Sequence, residues 1–138
     1  MKIISRSEEE TINIGESFAK ELKRGDVVLL TGDLGAGKTR FVRGIAKGLG
    51  IVDWEKVKSP TYTIRHTYQG KIPLYHFDLY RINGENELYE IGIDDLELDK
   101  GVSVVEWGKI IENFFDKKPV IVKIIIVDDS VREIIMKL

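Results

Sequence analysis

The chain reads Gly32-Asp33-Leu34-Gly35-Ala36-Gly37-Lys38-Thr39 at residues 32–39. This matches the pattern G-x-x-x-x-G-K-[S/T], in which backbone N–H groups surround phosphate oxygens and the lysine reaches the β- and γ-phosphates of a nucleotide. The glycines allow the main chain to approach the phosphates closely. The pattern therefore predicts that all eight residues bind a nucleotide such as ATP, and that the Thr39 hydroxyl is a ligand of Mg²⁺.

The segments on either side of this stretch strengthen the prediction. Residues 26–30 read as a continuously apolar strand, which is typical of a strand covered on both faces. After Lys38 the apolar residues recur at helical spacing as far as Leu49. A strand, a glycine-rich loop and a helix thus follow in order, which places bound phosphate at the helix N-terminus. A plain glycine turn explains this arrangement less well.

The remaining sequence predicts further helices and two hairpins. Ser7-Glu8-Glu9-Glu10 has the form of a capping box, so a helix is expected to begin at Ser7 and to end at Gly25. Other expected elements are a hairpin of 62–68 with 72–79, a short helix at 85–90, a buried strand at 102–105, a helical turn within 109–115, and a final hairpin of 120–127 with 131–138. These elements predict an α/β P-loop NTPase fold with a mixed, mainly parallel central sheet flanked by helices.

Composition narrows the class of protein. The 138 residues are 43% hydrophobic, and without an internal repeat or linker we expect a single domain over 1–138. A net charge of −2 does not favour a protein that binds nucleic acid without a partner protein. The chain has no Cys, which excludes disulfides and thiolate metal sites. With no signal-like start and no apolar run of membrane-spanning length, we expect a cytoplasmic protein that contacts no membrane.

Two carboxylates are candidates for the chemistry that a nucleotide loop alone does not supply. Hydrolysis needs an acid at the end of a neighbouring strand, to anchor Mg²⁺ or to orient the attacking water. Glu106 ends the apolar run 102–105, although it could be a solvated strand-end residue. Asp78 shares one strand face with His76 and Tyr80, although it could instead pair with Arg81 or His66.

Other candidate residues have weaker support. Ser59-Pro60-Thr61-Tyr62-Thr63 is either an ordinary loop or a segment in which Ser59 and Thr61 sense the γ-phosphate. The two histidines are interpreted as structural residues, because no second His or Cys stands at metal spacing. Trp107 follows Glu106 and could pack or function. A basic helix face could meet an acidic partner or RNA, but a solvated face explains it more simply: Arg40, Arg43 and Lys47.

With these motifs in view, the whole chain resembles the TsaE (YjeE) family of ATPases, which act in the formation of threonylcarbamoyladenosine on tRNA. Four motifs in order carry the resemblance: Gly-Asp-Leu-Gly-Ala-Gly-Lys-Thr at 32–39, Lys-Ser-Pro-Thr-Tyr-Thr at 58–63, His-Phe-Asp-Leu-Tyr-Arg at 76–81 and Val-Glu-Trp at 105–107. The segment Glu-Leu-Tyr-Glu-Ile-Gly-Ile at 87–93 is also similar to the family.

The resemblance implies roles for individual residues. Thr39 and Glu106 would serve Mg²⁺, Asp78 and Trp107 would matter for turnover, and Arg132 would lie near the nucleotide base. With Lys38, the two acids form the implied catalytic set. The resemblance also implies binding to the TsaB and TsaD subunits, which ATP hydrolysis resets between rounds, with tRNA contacted at most indirectly.

Three other functions compete with a partner-dependent ATPase. A small-molecule kinase would need an arginine-bearing lid, but the seven Arg are scattered. A GTP-driven switch would carry Asn-Lys-x-Asp and Asp-x-x-Gly, and neither string occurs. A nucleotide-bound scaffold that does not hydrolyse ATP remains open.

Overall fold

The structure, a computed structural model, describes residues 1–33, 35–60, 64–107 and 118–137. Its strands are β1 (Lys2–Ser5), β2 (Val27–Gly32), β3 (Arg65–Tyr68), β4 (Leu74–Asp78), β5 (Val102–Glu106), β6 (Val120–Ile126) and β7 (Arg132–Lys137). Its α-helices are α1 (Glu8–Ala19), α2 (Lys38–Gly48) and α3 (Glu85–Glu90), with 3-10 turns at Trp54–Lys56 and Leu96–Lys100. Leu34, Thr61 and the predicted helical turn at 109–115 lie outside the described residues.

The strands form one seven-stranded sheet in the order β1-β7-β6-β2-β5-β4-β3. The four central strands β6, β2, β5 and β4 run parallel to one another. The outer pairs β1–β7, β6–β7 and β3–β4 are antiparallel. This confirms the predicted α/β fold with a mixed, mainly parallel sheet. Because parallel strands end at the same edge, the carboxyl ends of β2, β4 and β5 meet there.

Strand β2 is buried on both faces, as its unbroken apolar sequence predicts. Val28 and Leu30 belong to one core cluster, which also contains residues of α1 and α2. Val27 and Leu29 belong to a second cluster on the other face, with Phe77 of β4. The loop that follows β2 therefore starts from a strand fixed from both sides.

Helices α1 and α2 pack against each other through glycine. A Cβ added at Gly15 of α1 would overlap the backbone of Phe41, and one added at Gly44 of α2 would overlap the backbone of Ile12. The two helix backbones therefore approach more closely than larger side chains permit. This contact fixes the position of α2, and with it the loop at its N-terminus.

The predicted start of α1 is confirmed, but two details of that prediction are wrong. The Ser7 hydroxyl caps the helix by accepting from the Glu10 N–H at 3.0 Å. The Glu10 carboxylate accepts from Arg6, one residue before the cap, and so the reciprocal bond of a capping box is replaced. The helix ends at Ala19, and Gly25, at φ +89°, shapes the turn that leads into β2.

Both predicted hairpins form, and so does the short helix at 85–90. The first arm of the first hairpin is shorter than predicted, since β3 begins at Arg65. Strand β1 was not predicted; its four residues add an antiparallel edge strand to β7.

A search of the described part of the chain found no helix with the length and apolarity needed to span a membrane.

Candidate functional site

The loop after β2 owes its conformation to its glycines. Gly35 and Gly37 have left-handed backbones, at φ +81° and +98°, which other residues adopt at a cost. Gly37 is the N-cap residue of α2, so the loop leads directly into the helix N-terminus. Gly32 has a different role, because a Cβ there would lie 2.9 Å from the Ile124 carbonyl oxygen. Backbone freedom and tight packing together fix the conformation of the loop, and its binding of phosphate stays a prediction.

Lys38, the first residue of α2, points into a negatively charged and aromatic environment. Its Nζ lies 3.8 Å from Glu106 Oε1 and 4.5 Å from the centre of the Trp107 ring. Its side chain is only 11% exposed. The ammonium group therefore contacts Glu106, the last residue of the neighbouring strand β5, and Trp107, which directly follows that strand.

Glu106 is buried and held from a second direction by His76. The Glu106 side chain is 4% exposed, and its Oε2 lies 2.6 Å from His76 Nε2. Because a carboxylate oxygen accepts, we assign the ring proton to Nε2. One carboxylate oxygen thus faces Lys38 and the other faces His76. Glu106 is not the solvated strand-end residue that the sequence left open.

The contact with Glu106 gives His76 a place in the site that the sequence prediction missed. His76 is fully buried, and its Nδ1 is a buried atom with no hydrogen-bond partner among the described residues. The structural interpretation of this histidine is therefore incomplete, since one of its two ring nitrogens bonds the candidate metal-binding acid. The alternation of side chains along a strand already predicted that His76 and Asp78 lie on the same face. Only the pairing of β4 with β5, which puts Asp78 opposite Glu106, shows where that face points.

Asp78 lies at the same edge of the sheet and is 4% exposed. Its Oδ1 accepts from the Tyr80 N–H at 3.0 Å, and the Ser59 hydroxyl donates to Oδ2 at 3.5 Å. Ser59 thus connects the hydroxyl-rich loop to an acid of the site. The interpretation of 59–63 as a phosphate-sensing segment stays a prediction, and residues 61–63 lie outside the described part of the chain.

Two non-glycine residues with left-handed backbones flank this edge. Trp107, at φ +58°, directly follows Glu106, and Ile64, at φ +68°, directly follows the segment 59–63. Such backbone conformations cost roughly 1–3 kcal/mol and cluster at functional sites. The Trp107 side chain is 45% exposed and packs edge-on to Tyr80, with ring centres 5.1 Å apart. Trp107 therefore packs, and it does so at the mouth of the site.

These side chains converge on one cleft of about 520 Å³. Its lining residues come from the loop, both acids and the aromatic mouth: Gly35, Gly37, Lys38, Thr39, Arg40, Ser59, Asp78, Tyr80, Glu106 and Trp107. A second cleft of about 580 Å³ adjoins the loop along β2 and β6, where Gly32 and Asp33 line it. The loop therefore lies between two open spaces.

Arg132, the first residue of β7, contacts the other side of the loop. Its guanidinium donates to the carbonyl oxygens of Ala36 at 3.1 Å and Gly35 at 3.2 Å. It also lines a space of about 340 Å³ together with Gly37, Arg40 and Ser7. This location is next to the loop, and proximity to a nucleotide base stays a prediction.

The basic residues on the outer face of α2 have partners within the chain. Arg40 pairs with Glu8 at 3.0 Å, and Lys47 pairs with Glu16 at 3.7 Å. Arg43 donates through Nε to the Val57 carbonyl at 2.9 Å. Each of the three residues therefore has a contact within the chain, and a meeting of this face with RNA or an acidic partner stays a prediction.

The oxygen donors at this edge fit magnesium. The described residues contain no cluster of three or more His, Cys, Asp or Glu that could hold a metal alone. Mg²⁺ does not need one, because it is usually bound through one or two protein oxygens together with water and substrate phosphates. The Thr39 hydroxyl and the Glu106 carboxylate, which line the same cleft, are such donors.

An apolar groove of about 600 Å³ lies elsewhere, among residues of β1, α1 and β7 that include Ile3, Ile14, Phe18 and Met136. Its charged lining residues are Glu10, Glu21 and Lys137, and its lining includes no glycine. The cleft at Lys38, where the glycine loop meets two buried acids, is therefore the candidate functional site.

Comparisons with known proteins agree with this geometry. The family model described as "Threonylcarbamoyl adenosine biosynthesis protein TsaE" matches residues 5–134. The chain is similar to proteins named tRNA threonylcarbamoyladenosine biosynthesis protein TsaE. It is 38% identical to that of Treponema pallidum, over 97% of this chain and 98% of the relative. It is 44% identical to that of Bacillus subtilis, over 91% of this chain and 78% of the relative.

The fold is also similar to a solved structure. The crystal structure of Bacillus subtilis YdiB superposes with a TM-score of 0.71 at 37% sequence identity. The match covers 97% of this chain and 82% of the other.

Proposed function

Because the chain belongs to the TsaE family, whose members take part in tRNA threonylcarbamoyladenosine biosynthesis, we propose that it is the magnesium-dependent ATPase subunit of that machinery. One observation carries the proposal. Lys38 at the start of α2 and Glu106 at the end of β5 lie 3.8 Å apart in a cleft that Thr39 and Asp78 also line. Loop, lysine, hydroxyl and two acids are the parts that ATP hydrolysis requires.

Each part has a role in the proposed reaction. The amides of the loop and the helix N-terminus bind the phosphates of ATP. Lys38 exchanges its contact with Glu106 for the β- and γ-phosphates. Thr39 and Glu106 would hold Mg²⁺, which would supply charge neutralisation at the phosphates.

The attacking water also needs a base or an orienting acceptor, and Asp78 and Glu106 are the two acids in reach of the cleft. Glu106 already has both oxygens engaged, by Lys38 and His76. Asp78 accepts from the Tyr80 N–H at 3.0 Å and from the Ser59 hydroxyl at 3.5 Å. Because Glu106 is the acid that contacts Lys38, the residue before Thr39, we assign metal support to Glu106 and water orientation to Asp78.

The proposed partners are the TsaB and TsaD subunits. Trp107 and Tyr80, 45% and 65% exposed at the cleft mouth, are placed where a partner could sense the nucleotide state. The isolated chain should then hydrolyse ATP slowly.

Phosphate release by the purified chain, alone and with TsaB and TsaD, tests the proposal. We expect slow release alone, faster release with both subunits, and co-elution of the three chains in gel filtration with ATP. Rapid release by the isolated chain, or failure to co-elute in any nucleotide state, would count against a partner-dependent ATPase.

The variant Glu106→Ala distinguishes an ATPase from a nucleotide-bound scaffold. An ATPase that resets its partners loses both phosphate release and repeated rounds of tRNA modification. A scaffold keeps its partners and supports modification without Glu106. Continued multiple-turnover modification by this variant would favour the scaffold.

A further inference from the structure

Arg132 joins the final hairpin to the phosphate-binding loop through backbone carbonyl groups. Toward the loop, its Nε donates to Ala36 and its Nη2 to Gly35. Toward its own turn, its Nη1 donates to the carbonyl oxygens of Asp128 at 2.7 Å, Val131 at 3.1 Å and Asp129 at 3.3 Å. The guanidinium thus bridges two segments separated by more than ninety residues.

These bonds determine which way the loop amides point. A trans peptide unit is planar, and its C=O and N–H point in opposite directions. When Arg132 holds the Ala36 carbonyl, the N–H of Gly37 faces the other side of that peptide. The peptide between Gly35 and Ala36 is oriented in the same way, but its N–H donates to the Asp33 carbonyl at 2.9 Å, within the loop. The two carbonyl oxygens, which would repel phosphate, thus point toward the Arg132 guanidinium.

The loop needs such support because its backbone is permissive. Gly35 and Gly37 can leave their left-handed conformations at little energetic cost. Among the described residues, no heavy atom lies within 4 Å of the position that a Gly35 Cβ would take, so this side of the residue is open. A loop that is ordered before the ligand arrives loses less entropy on binding.

We propose that Arg132 is a positioning residue that preorganises the phosphate-binding loop by holding the Gly35 and Ala36 carbonyl groups, and that the final hairpin thereby controls phosphate affinity. The inference rests on the proposed nucleotide binding. It assigns Arg132 to the phosphate end of the ligand, and contact with the base is not required.

Affinities for magnesium-ATP and for magnesium-tripolyphosphate, which has no base or ribose, test this inference. The variants are Arg132→Gln and Arg132→Lys. The matched control is Glu133→Gln on the same strand, which loses only a pairing with Lys2 at 3.7 Å. Titration calorimetry measures binding, and thermal unfolding shows that each variant is folded. If Arg132→Gln does not fold, the lysine variant carries the comparison.

We expect both Arg132 variants to bind both ligands more weakly by the same factor, roughly tenfold, the scale of one charged hydrogen bond. Lysine should not rescue binding, because a single ammonium cannot span the loop and the turn. Glu133→Gln should bind like the wild type.

Three results would overturn the inference. A loss confined to ATP would assign Arg132 to the base or ribose. Full rescue by lysine would show that charge alone matters. An equal loss in Glu133→Gln would show a general effect of the hairpin. If the wild type bound neither ligand, the proposed function itself would fail, which is a different outcome from any of these three.

Discussion

The phosphate-binding loop is made of consecutive residues, whereas the opposite wall of the same cleft is assembled from side chains at 59, 78, 106 and 107. The loop works through its backbone, with left-handed glycines and the N-terminus of α2. The carboxylate wall works through charged side chains brought together by the pairing of β4 with β5. One half is therefore local in sequence and the other depends on the completed sheet.

The loop and the carboxylate wall also differ in how far their residues are exposed to solvent. The loop leaves Gly35 exposed to solvent, while Glu106 and Asp78 are 3% and 4% exposed. A buried charge whose partner is removed is strongly destabilising, by roughly 3–5 kcal/mol. The carboxylate wall should therefore be sensitive to the loss of any one partner, and the loop to the loss of phosphate contacts.

Removing the lysine of the loop should have the largest effect. Lys38→Ala deletes the side-chain charge that meets the β- and γ-phosphates, and we expect ATP turnover to fall by at least about 10³-fold. Lys47→Ala, on the exposed side of the same helix, should retain turnover. Steady-state phosphate release measures both. Comparable turnover in Lys38→Ala and the wild type would refute the role of the loop.

Neutralising the acid of the opposite wall should affect chemistry more than binding. We expect Glu106→Gln to lose turnover by about 10²–10³-fold, the usual scale for one electrostatic contact in an active site, while ATP still binds. Glu97→Gln, a surface acid paired with Arg65, serves as the control. Parallel titration and phosphate release separate the two effects. If Glu106→Gln lost ATP affinity and turnover by the same factor, the assignment of binding to the loop and of chemistry to the carboxylate wall would be contradicted.

The contact between His76 and Glu106 predicts a difference between two polar substitutions. Glutamine can place an amide nitrogen where Nε2 lies, whereas asparagine can place one only where Nδ1 lies, an atom with no hydrogen-bond partner among the described residues. We expect His76→Asn to lower turnover roughly 10–100-fold, as for other residues that orient a metal ligand, and His76→Gln to lower it less. Phosphate release at saturating ATP measures the difference. If the two variants behave alike while remaining folded, the Nε2 contact does not orient Glu106.

The smallest effect is expected at the aromatic mouth. A cation over an aromatic ring contributes about 0.5–1 kcal/mol at a partly exposed site, and Trp107 lies 4.5 Å from Lys38 Nζ. Trp107→Ala should therefore lower turnover a few-fold, and Trp107→Phe should preserve most of it. A larger loss in the phenylalanine variant than in the alanine variant would contradict a stacking role.

The contrast between the halves also explains what could be predicted from the sequence. The strand, the loop and the helix that follows it were predictable because glycine conformation and apolar spacing are local properties. Both hairpins and the start of α1 at Ser7 were predictable for the same reason. Glu106 was identified as a strand-end acid, but its burial depends on Lys38 and His76, which no local pattern places beside it.

The missed features all depend on contacts between distant segments. Strand β1 is four residues long and exists as a strand because β7 pairs with it. Arg132 was named only through the family resemblance, and its bonds to the loop carbonyl groups follow only once β7 is placed beside the loop. The expectation that Gly25 ends α1 failed because glycine can also shape a later turn.

Calorimetric titration of the folded wild-type chain with ATP in the presence of Mg²⁺ tests the central claim most directly. We predict uptake of one nucleotide per chain, weakened when Lys38 is replaced by alanine and dependent on the metal. A folded chain that takes up no ATP with magnesium, or that binds it equally well without Lys38, would contradict the assignment of the cleft.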